Sequence, residues 1–69
     1  MTTLQKEQME CMYNLYERKY WLCPNEYERT LGAMKALRDV AEIFGYRFES
    51  YDVETVSGKT CALYRLEEI

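Results

Sequence analysis

The chain has 69 residues, of which 48% are hydrophobic and 30% are charged, with three Gly and one Pro. A chain of this length folds as one small domain, and the composition excludes a disordered, collagen-like or low-complexity protein. Twelve acidic and nine basic residues give a net charge of −3, which opposes binding to a nucleic acid backbone because such binding depends on the release of counterions. We therefore predict a single globular domain over residues 1–69 and no direct nucleic-acid binding.

The chain contains no His, the side chain that most often serves as a general base and a metal ligand. Its three Cys residues are odd in number and lack the spacing of a zinc site, so we expect reduced thiols, with neither a disulfide framework nor a metal site. The close carboxylate pairs fall on predicted solvated faces, which favours a role in solubility over acid-base catalysis. We therefore expect no catalytic residues, no cofactor and no enzymatic activity.

The start of the chain has no apolar run of signal-peptide length, and no segment approaches the roughly 18 apolar residues of a membrane span. We therefore expect a cytoplasmic protein with no membrane partner.

The first predicted element is a helix over about residues 3–20, which either Thr2 or Thr3 can cap. Gln5, three residues after Thr2, can complete a capping box with it. Leu4, Cys11 and Leu15 form one apolar stripe on its helical wheel. Further Met and Tyr side chains widen the apolar arc to roughly 200°, about twice what a helix packed on one neighbour needs: Met9, Met12, Tyr13, Tyr16 and Tyr20. We therefore expect this helix to lie between a second helix and a sheet.

Pro24 ends the first helix, and Asn25 with Glu28 predicts a second capping box. The second helix is expected over about residues 26–44, with Gly45 as its left-handed C-terminal residue.

Alternating apolar residues predict a strand over about residues 46–56 and another over about 59–66, joined by a turn at Ser57-Gly58. The alternation changes phase along the first strand, which we interpret as a β-bulge near Glu49 or Ser50.

Pairing outward from the turn predicts one apolar sheet face that covers the helices and one half-polar outer face. The inner face holds the pairs Thr55 with Thr60, Val53 with Ala62, Tyr51 with Tyr64 and, beyond the bulge, Phe48 with Leu66. The outer face holds Asp52, Glu54, Cys61, Leu63 and Arg65.

The predicted fold is α+β, with two antiparallel helices followed by a C-terminal β-hairpin (ααββ). Two strands leave two open edges and are marginally stable alone, and apolar burial in so short a chain barely offsets its loss of entropy. We therefore predict a homodimer, formed by edge pairing into a four-stranded sheet or by packing the spare Met and Tyr side of the first helix across a two-fold axis.

The most distinctive segment is Tyr13-Asn14-Leu15-Tyr16-Glu17-Arg18-Lys19-Tyr20-Trp21, with Tyr27 just beyond the turn. Tyr, Trp and Arg dominate binding hot spots because they bury much area at little rotamer cost and keep a polar group. An aromatic core accounts for part of this set, but so small a domain has few places to bury seven Tyr, two Phe and one Trp. We therefore predict a surface that binds another protein, formed by Tyr13, Tyr16, Arg18, Tyr20, Trp21 and Tyr27.

An alternative function is the binding of a nucleotide-like signal, in which Tyr or Trp stacks on the base and cations hold the phosphate across a dimer groove. The candidate cations are Arg18, Lys19, Arg29 and Arg38. Arg38 lies inside the apolar arc of the second helix, where its stem can also simply cover an aromatic ring.

In size and composition, this acidic, Tyr-rich chain that begins Met1-Thr2-Thr3 and has no catalytic motif resembles the small accessory proteins of phages and prophages. Some of those proteins inhibit host defences by binding an effector protein or by sequestering its nucleotide signal. The resemblance implies an inhibitor of a host defence protein. It transfers no functional residue, because it rests on no motif.

Overall fold

Two helices are followed by two strands in the computed structural model, which describes residues 1–69. Helix α1 spans Thr3–Leu22, a 3-10 turn spans Pro24–Glu26, helix α2 spans Tyr27–Ile43, and strands β1 and β2 span Tyr46–Glu54 and Thr60–Glu68. The strands form a two-stranded antiparallel sheet, so the predicted α+β class and ααββ order are confirmed. Neither helix combines the length and apolar character that crossing a membrane requires.

Helix α1 begins at the predicted capping box. The Gln5 N–H donates to Thr2 Oγ1 at 3.1 Å, and the Thr2 N–H donates to Gln5 Oε1 at 3.0 Å. Two N–H groups that lack partners inside the helix are thereby satisfied.

Helix α2 begins differently from the prediction. The capping box expected at Asn25 and Glu28 is wrong, because Asn25 lies within the 3-10 turn and the N-cap residue, Glu26, makes no side-chain capping bond. Pro24 opens that turn, where its missing N–H costs nothing. At the other end Gly45 has φ +81° and its N–H donates to the Glu42 carbonyl at 3.0 Å, which confirms the predicted left-handed residue.

The hairpin turn encloses residues 56–58 instead of the two residues predicted. The Gly58 N–H donates to the Thr55 carbonyl at 2.9 Å, and the Thr55 N–H donates to the Lys59 carbonyl at 2.8 Å. Gly58 has φ +81° and supplies the left-handed residue that completes a three-residue hairpin loop. The extra loop residue shifts the strand pairing by one position.

The strands pair in one continuous register, so the predicted bulge near Glu49 or Ser50 is wrong. The apparent phase change is a change of face: Phe48 packs on the helices, whereas Tyr51 and Val53 lie on the opposite face of the sheet. Our prediction that Tyr51 and Val53 lie on the inner face is therefore wrong. The observed pairs are Phe48 with Leu66, as predicted, then Ser50 with Tyr64, Tyr51 with Leu63 and Val53 with Cys61.

The core is small and centres on Tyr13 of α1. The Tyr13 ring stacks on Phe48 with the centroids 4.1 Å apart and meets Tyr64 edge-on at 4.9 Å. Only five of the 69 residues are buried, so most apolar side chains keep some contact with water. The buried residues are Tyr13, Thr30, Met34, Ala41 and Leu66.

Side chains of α1 bind the open edge of β2. The Tyr64 N–H donates to Asn14 Oδ1 at 2.8 Å, and Asn14 Nδ2 donates to the Tyr64 carbonyl at 3.0 Å. The Leu66 N–H donates to Glu10 Oε2 at 2.7 Å. These bonds occupy the groups that a neighbouring strand would use, so this part of the edge is closed to strand pairing.

Candidate interaction surface

Trp21, near the C-terminal end of α1, is 72% exposed and yet has a defined orientation. Its Nε1–H donates to Glu17 Oε1 at 2.9 Å, one turn earlier in the helix. Its ring meets the Tyr20 ring edge-on, with the centroids 5.0 Å apart. An exposed aromatic ring that is already oriented loses little side-chain entropy when a partner covers it.

Tyr20 and Tyr27 connect the end of α1 to the start of α2. The Tyr20 O–H donates to Tyr27 Oη at 3.1 Å, and the two rings lie 4.8 Å apart. This hydrogen bond is the main cause that raises the pKa of Tyr20 above its ordinary value, with loss of hydration as a smaller cause. Lys19 and Glu26 form an ion pair across the same junction at 3.5 Å. The turn between the helices is therefore held by polar contacts.

The structure brings three of the predicted partner-binding residues into one cluster: Tyr20, Trp21 and Tyr27. Tyr13 is only 3% exposed and belongs to the core. Tyr16 is half-buried, and Arg18 is exposed on α1. We call Tyr20, Trp21 and Tyr27 the aromatic cluster.

A groove between α1 and β2, which no pattern in the sequence predicts, borders Trp21. Its apolar lining includes Leu15 and Leu22 from α1 together with Cys61, Ala62 and Leu63 from β2. Leu22 lay beyond the predicted end of the helix, and only the three-dimensional position of β2 beside α1 brings Cys61 and Leu63 to the cluster. Glu17 and Arg18 also line the groove and add charges to it.

Helix α1 contacts both α2 and β2, as expected, but neither of them covers its apolar stripe, which faces water. Leu4 is 64% exposed, Leu15 is 55% exposed and Leu22, two residues beyond the predicted end, is 71% exposed. The opposite side of α1 faces the core, where Tyr13 stacks on Phe48. The side chains of Glu10 and Asn14 bind β2 from the adjoining side.

The four cations considered for a phosphate-bearing ligand line no common cavity. Arg18 and Lys19 line a shallow groove on α1, and Arg29 lines a separate depression beside the turn. Arg38 lines neither of these surfaces. No group of three or more Cys, Asp and Glu side chains is placed to hold a metal ion.

No protein-family model, curated protein or solved structure matches this chain. The fold and its surface define a small α+β protein with an oriented aromatic cluster, of which Trp21 and Tyr27 are exposed. Function therefore has to be inferred from the surface itself.

Proposed function

We propose that this protein is a non-catalytic interaction module that acts as a homodimer and binds another protein through the aromatic cluster. The observation that carries this proposal is the exposed position of Trp21, which is 72% accessible while its indole N–H is held by Glu17. Tryptophan and tyrosine in this arrangement are typical anchors of protein interfaces, because they combine a large apolar area with a polar group.

The surroundings of Trp21 support a protein as the partner. The apolar groove beside Trp21, at Ala62 and Leu63 of β2, extends the contact area beyond the aromatic rings. A row of apolar side chains beside an aromatic anchor fits a segment of a protein better than it fits a single small molecule.

As an inhibitor, the protein acts by covering a functional surface of its target. The resemblance in size and composition to phage and prophage accessory proteins favours a host defence protein as that target, with the cytoplasm as the compartment. Binding the target and covering its functional surface require neither a catalytic group nor a cofactor.

The test is capture of the partner from a lysate of the native host by the tagged protein, followed by measurement of the affinity for the captured protein. We expect Trp21→Ala to weaken binding by at least roughly 30-fold, which corresponds to about 2 kcal/mol at a hot-spot residue. Phe44→Ala is the matched control, because Phe44 is also aromatic and 55% exposed but lies at the far end of α2.

Circular dichroism of both variants checks that the fold is intact. Equal affinity of the wild type and Trp21→Ala for the captured protein would contradict the proposal.

Binding of a nucleotide-like signal remains the alternative function, and it has less support because Arg18 and Lys19 line one groove whereas Arg29 lines a separate depression. A thermal-shift screen with mono-, di- and cyclic nucleotides separates the two functions. A saturable rise in melting temperature with one of these nucleotides would favour the alternative.

A further inference from the structure

We propose that two copies of this chain associate through the outward stripe of α1, with the two α1 helices packed antiparallel across a two-fold axis that crosses the stripe at the height of Tyr13. We call this stripe, formed by Leu4, Cys11, Leu15 and Leu22, the α1 stripe. The inference rests on the homodimer of the proposed function and specifies the surface that forms it.

The α1 stripe is one continuous side of the helix. Its residues are separated by seven, four and seven positions, a spacing that keeps them on one side of an α-helix and is typical of a helix-pairing seam. Leu4, Leu15 and Leu22 are all more than half exposed, whereas Tyr13 on the opposite side is 3% exposed. The core thus lies behind α1, and β2 borders one flank of the stripe, where Cys11, Leu15 and Leu22 line the groove shared with β2. The exposed side of the stripe is left to meet another helix.

The stripe is symmetric about Tyr13, which points to a second copy as its occupant. Leu4 and Leu22 each lie nine positions from Tyr13, and Cys11 and Leu15 each lie two positions from it. In an antiparallel pair with its two-fold axis at this residue, Leu4 therefore meets Leu22 of the second copy. Likewise, Cys11 meets Leu15 of the second copy. An interface between identical chains needs this self-complementarity, because each residue must match its counterpart in both directions.

The charges beside the stripe are also self-complementary. Glu7 and Arg18 lie on the same flank, six positions before and five positions after Tyr13. In an antiparallel pair equal flanks face each other, so Glu7 of each copy meets Arg18 of the other. Neither side chain forms a salt bridge within the chain. Opposite charges in this register favour the antiparallel homodimer over association with an arbitrary apolar surface.

The other flank carries no opposing like charges. Lys19 lies six positions after Tyr13 and meets Gln8 of the second copy, five positions before it. Met12 lies next to the axis on this flank and adds apolar area, with 45% of its surface exposed.

Edge pairing, the other route to a dimer, is restricted by α1 itself. The side chains of Glu10 and Asn14 occupy the β2 edge at Leu66 and Tyr64. The edge of β1 receives no side-chain hydrogen bond and is the competing interface that the experiment has to separate from the α1 stripe.

Disulfide cross-linking tests the register directly. In a full-length chain carrying Cys23→Ser and Cys61→Ser, Leu15→Cys should join Cys11 of the second copy when an added oxidant, copper phenanthroline, removes two electrons and two protons from the thiol pair. Mass spectrometry of the unreduced peptides identifies the linked positions. Ile43→Cys in the same background is the control, because Ile43 is 80% exposed but lies on α2, and it should give no link to Cys11.

Charge reversal tests the same register without oxidation. Glu7→Arg and Arg18→Glu should each weaken the dimer by at least roughly tenfold, since each places like charges in contact. The double variant should restore the dissociation constant to near the wild-type value, a rescue that a merely misfolded variant does not give.

Sedimentation velocity of the wild type, Leu15→Arg and the control Ile43→Arg completes the experiment. A dimer that Leu15→Arg converts to a folded monomer, together with the link between positions 11 and 15, supports the inference. A dimer that survives Leu15→Arg and gives no such link overturns the α1 interface but leaves the homodimer standing. A wild type that stays monomeric overturns both the α1 interface and the homodimer. Partner capture through Trp21 is measured separately and tests the binding function.

Discussion

At the junction of α1 and α2, the exposed Trp21 and the half-buried Tyr20 are fixed by polar contacts with neighbours. Trp21 is held by Glu17, and Tyr20 is held by Tyr27. Side chains fixed in this way keep their orientation without help from the core, so a single hydroxyl or carboxylate controls the shape of the surface that a partner meets.

The hydrogen bond between Tyr20 and Tyr27 has a measurable consequence in alkaline solution. Replacing Tyr27 with Phe removes the main cause of the raised pKa of Tyr20, so we expect that pKa to fall toward its ordinary value. NMR measures this change through the chemical shift of a Tyr20 ring carbon, followed as the pH is raised. Tyr51→Phe is the control, because Tyr51 lies under Arg65 on the outer face of the sheet and touches neither residue.

The same shift fixes how stability depends on pH. The pKa of Tyr20 is higher in the folded state than in the unfolded state. The neutral Tyr20 hydroxyl therefore makes its full contribution to the free energy of unfolding at pH values below the ordinary pKa of tyrosine. That contribution is lost as the pH rises through the raised value. A Tyr20 midpoint that is the same in the wild type and in Tyr27→Phe would rule out this account.

Two glycines are expected to respond to alanine in opposite ways. A Cβ on Gly32, inside α2, meets nothing within 4 Å, so Gly32→Ala should raise the free energy of unfolding by about 1 kcal/mol through helix propensity. Gly45 has φ +81°, and Gly45→Ala should lower that free energy by roughly 1–2 kcal/mol through backbone strain. Urea unfolding measures both changes. A loss of stability in Gly32→Ala would contradict the view that nothing approaches α2 at this position.

At the scale of elements, α1 uses its whole circumference. Tyr13 faces the core, Glu10 and Asn14 bind the β2 edge, and Leu15 on the α1 stripe faces water. The apolar arc of roughly 200° therefore does not reflect one broad buried face. It combines a core side with an outward side that is separate from it.

The bond between α1 and the β2 edge predicts the effect of Asn14→Ala. The substitution leaves the Tyr64 N–H and carbonyl without their partners in a part-buried position, which should cost about 1–3 kcal/mol of unfolding free energy. Hydrogen exchange at the Tyr64 amide should become faster, because the edge is opened.

Asn25→Ala is the matched control for this substitution, since Asn25 is exposed in the 3-10 turn and should change stability by less than about 0.5 kcal/mol. If the exchange rate of the Tyr64 amide stays the same in Asn14→Ala, the Asn14 side chain does not protect the edge.

The elements and their order could be predicted from the sequence, because the period of the apolar residues, the end of α1 before Pro24 and the end of α2 before Gly45 are local features. It did not predict the strand register, since a turn containing Gly58 fits both a two-residue and a three-residue loop. A shift of one residue exchanges the faces of a strand, and for this reason Tyr51 and Val53 lie opposite to their predicted face.

The candidate site could also be predicted only in part, because local composition indicates its aromatic residues whereas long-range contacts determine its shape. The composition of the segment from Tyr13 to Trp21, with Tyr27, indicated an aromatic surface. The structure brings Tyr20, Trp21 and Tyr27 together but places Tyr13 in the core. The direction of α1 depends on long-range contacts, such as Tyr13 with Phe48, which a helical wheel does not contain. The groove at Cys61 and Leu63 depends on how β2 lies beside α1, so no local pattern indicates it.

At the scale of the whole molecule, the protein is thin and has little interior. Its principal extents are 35 × 29 × 18 Å, and five of its 69 residues are buried. A small chain gains limited stability from its own core. The apolar area left on α1 and on the outer sheet face is therefore available to stabilise the fold through association.

If association through the α1 stripe supplies part of the stability, thermal unfolding must depend on protein concentration. For a dimer that unfolds to separate chains, each tenfold rise in concentration adds about 1.4 kcal/mol to the free energy of unfolding per dimer, so the melting temperature should rise between about 2 and about 200 µM. Circular dichroism melting curves measure this dependence. Leu15→Arg, which interrupts the stripe, should melt at a lower temperature that no longer varies with concentration. Wild-type curves that superimpose over this range would contradict any stabilising role of association.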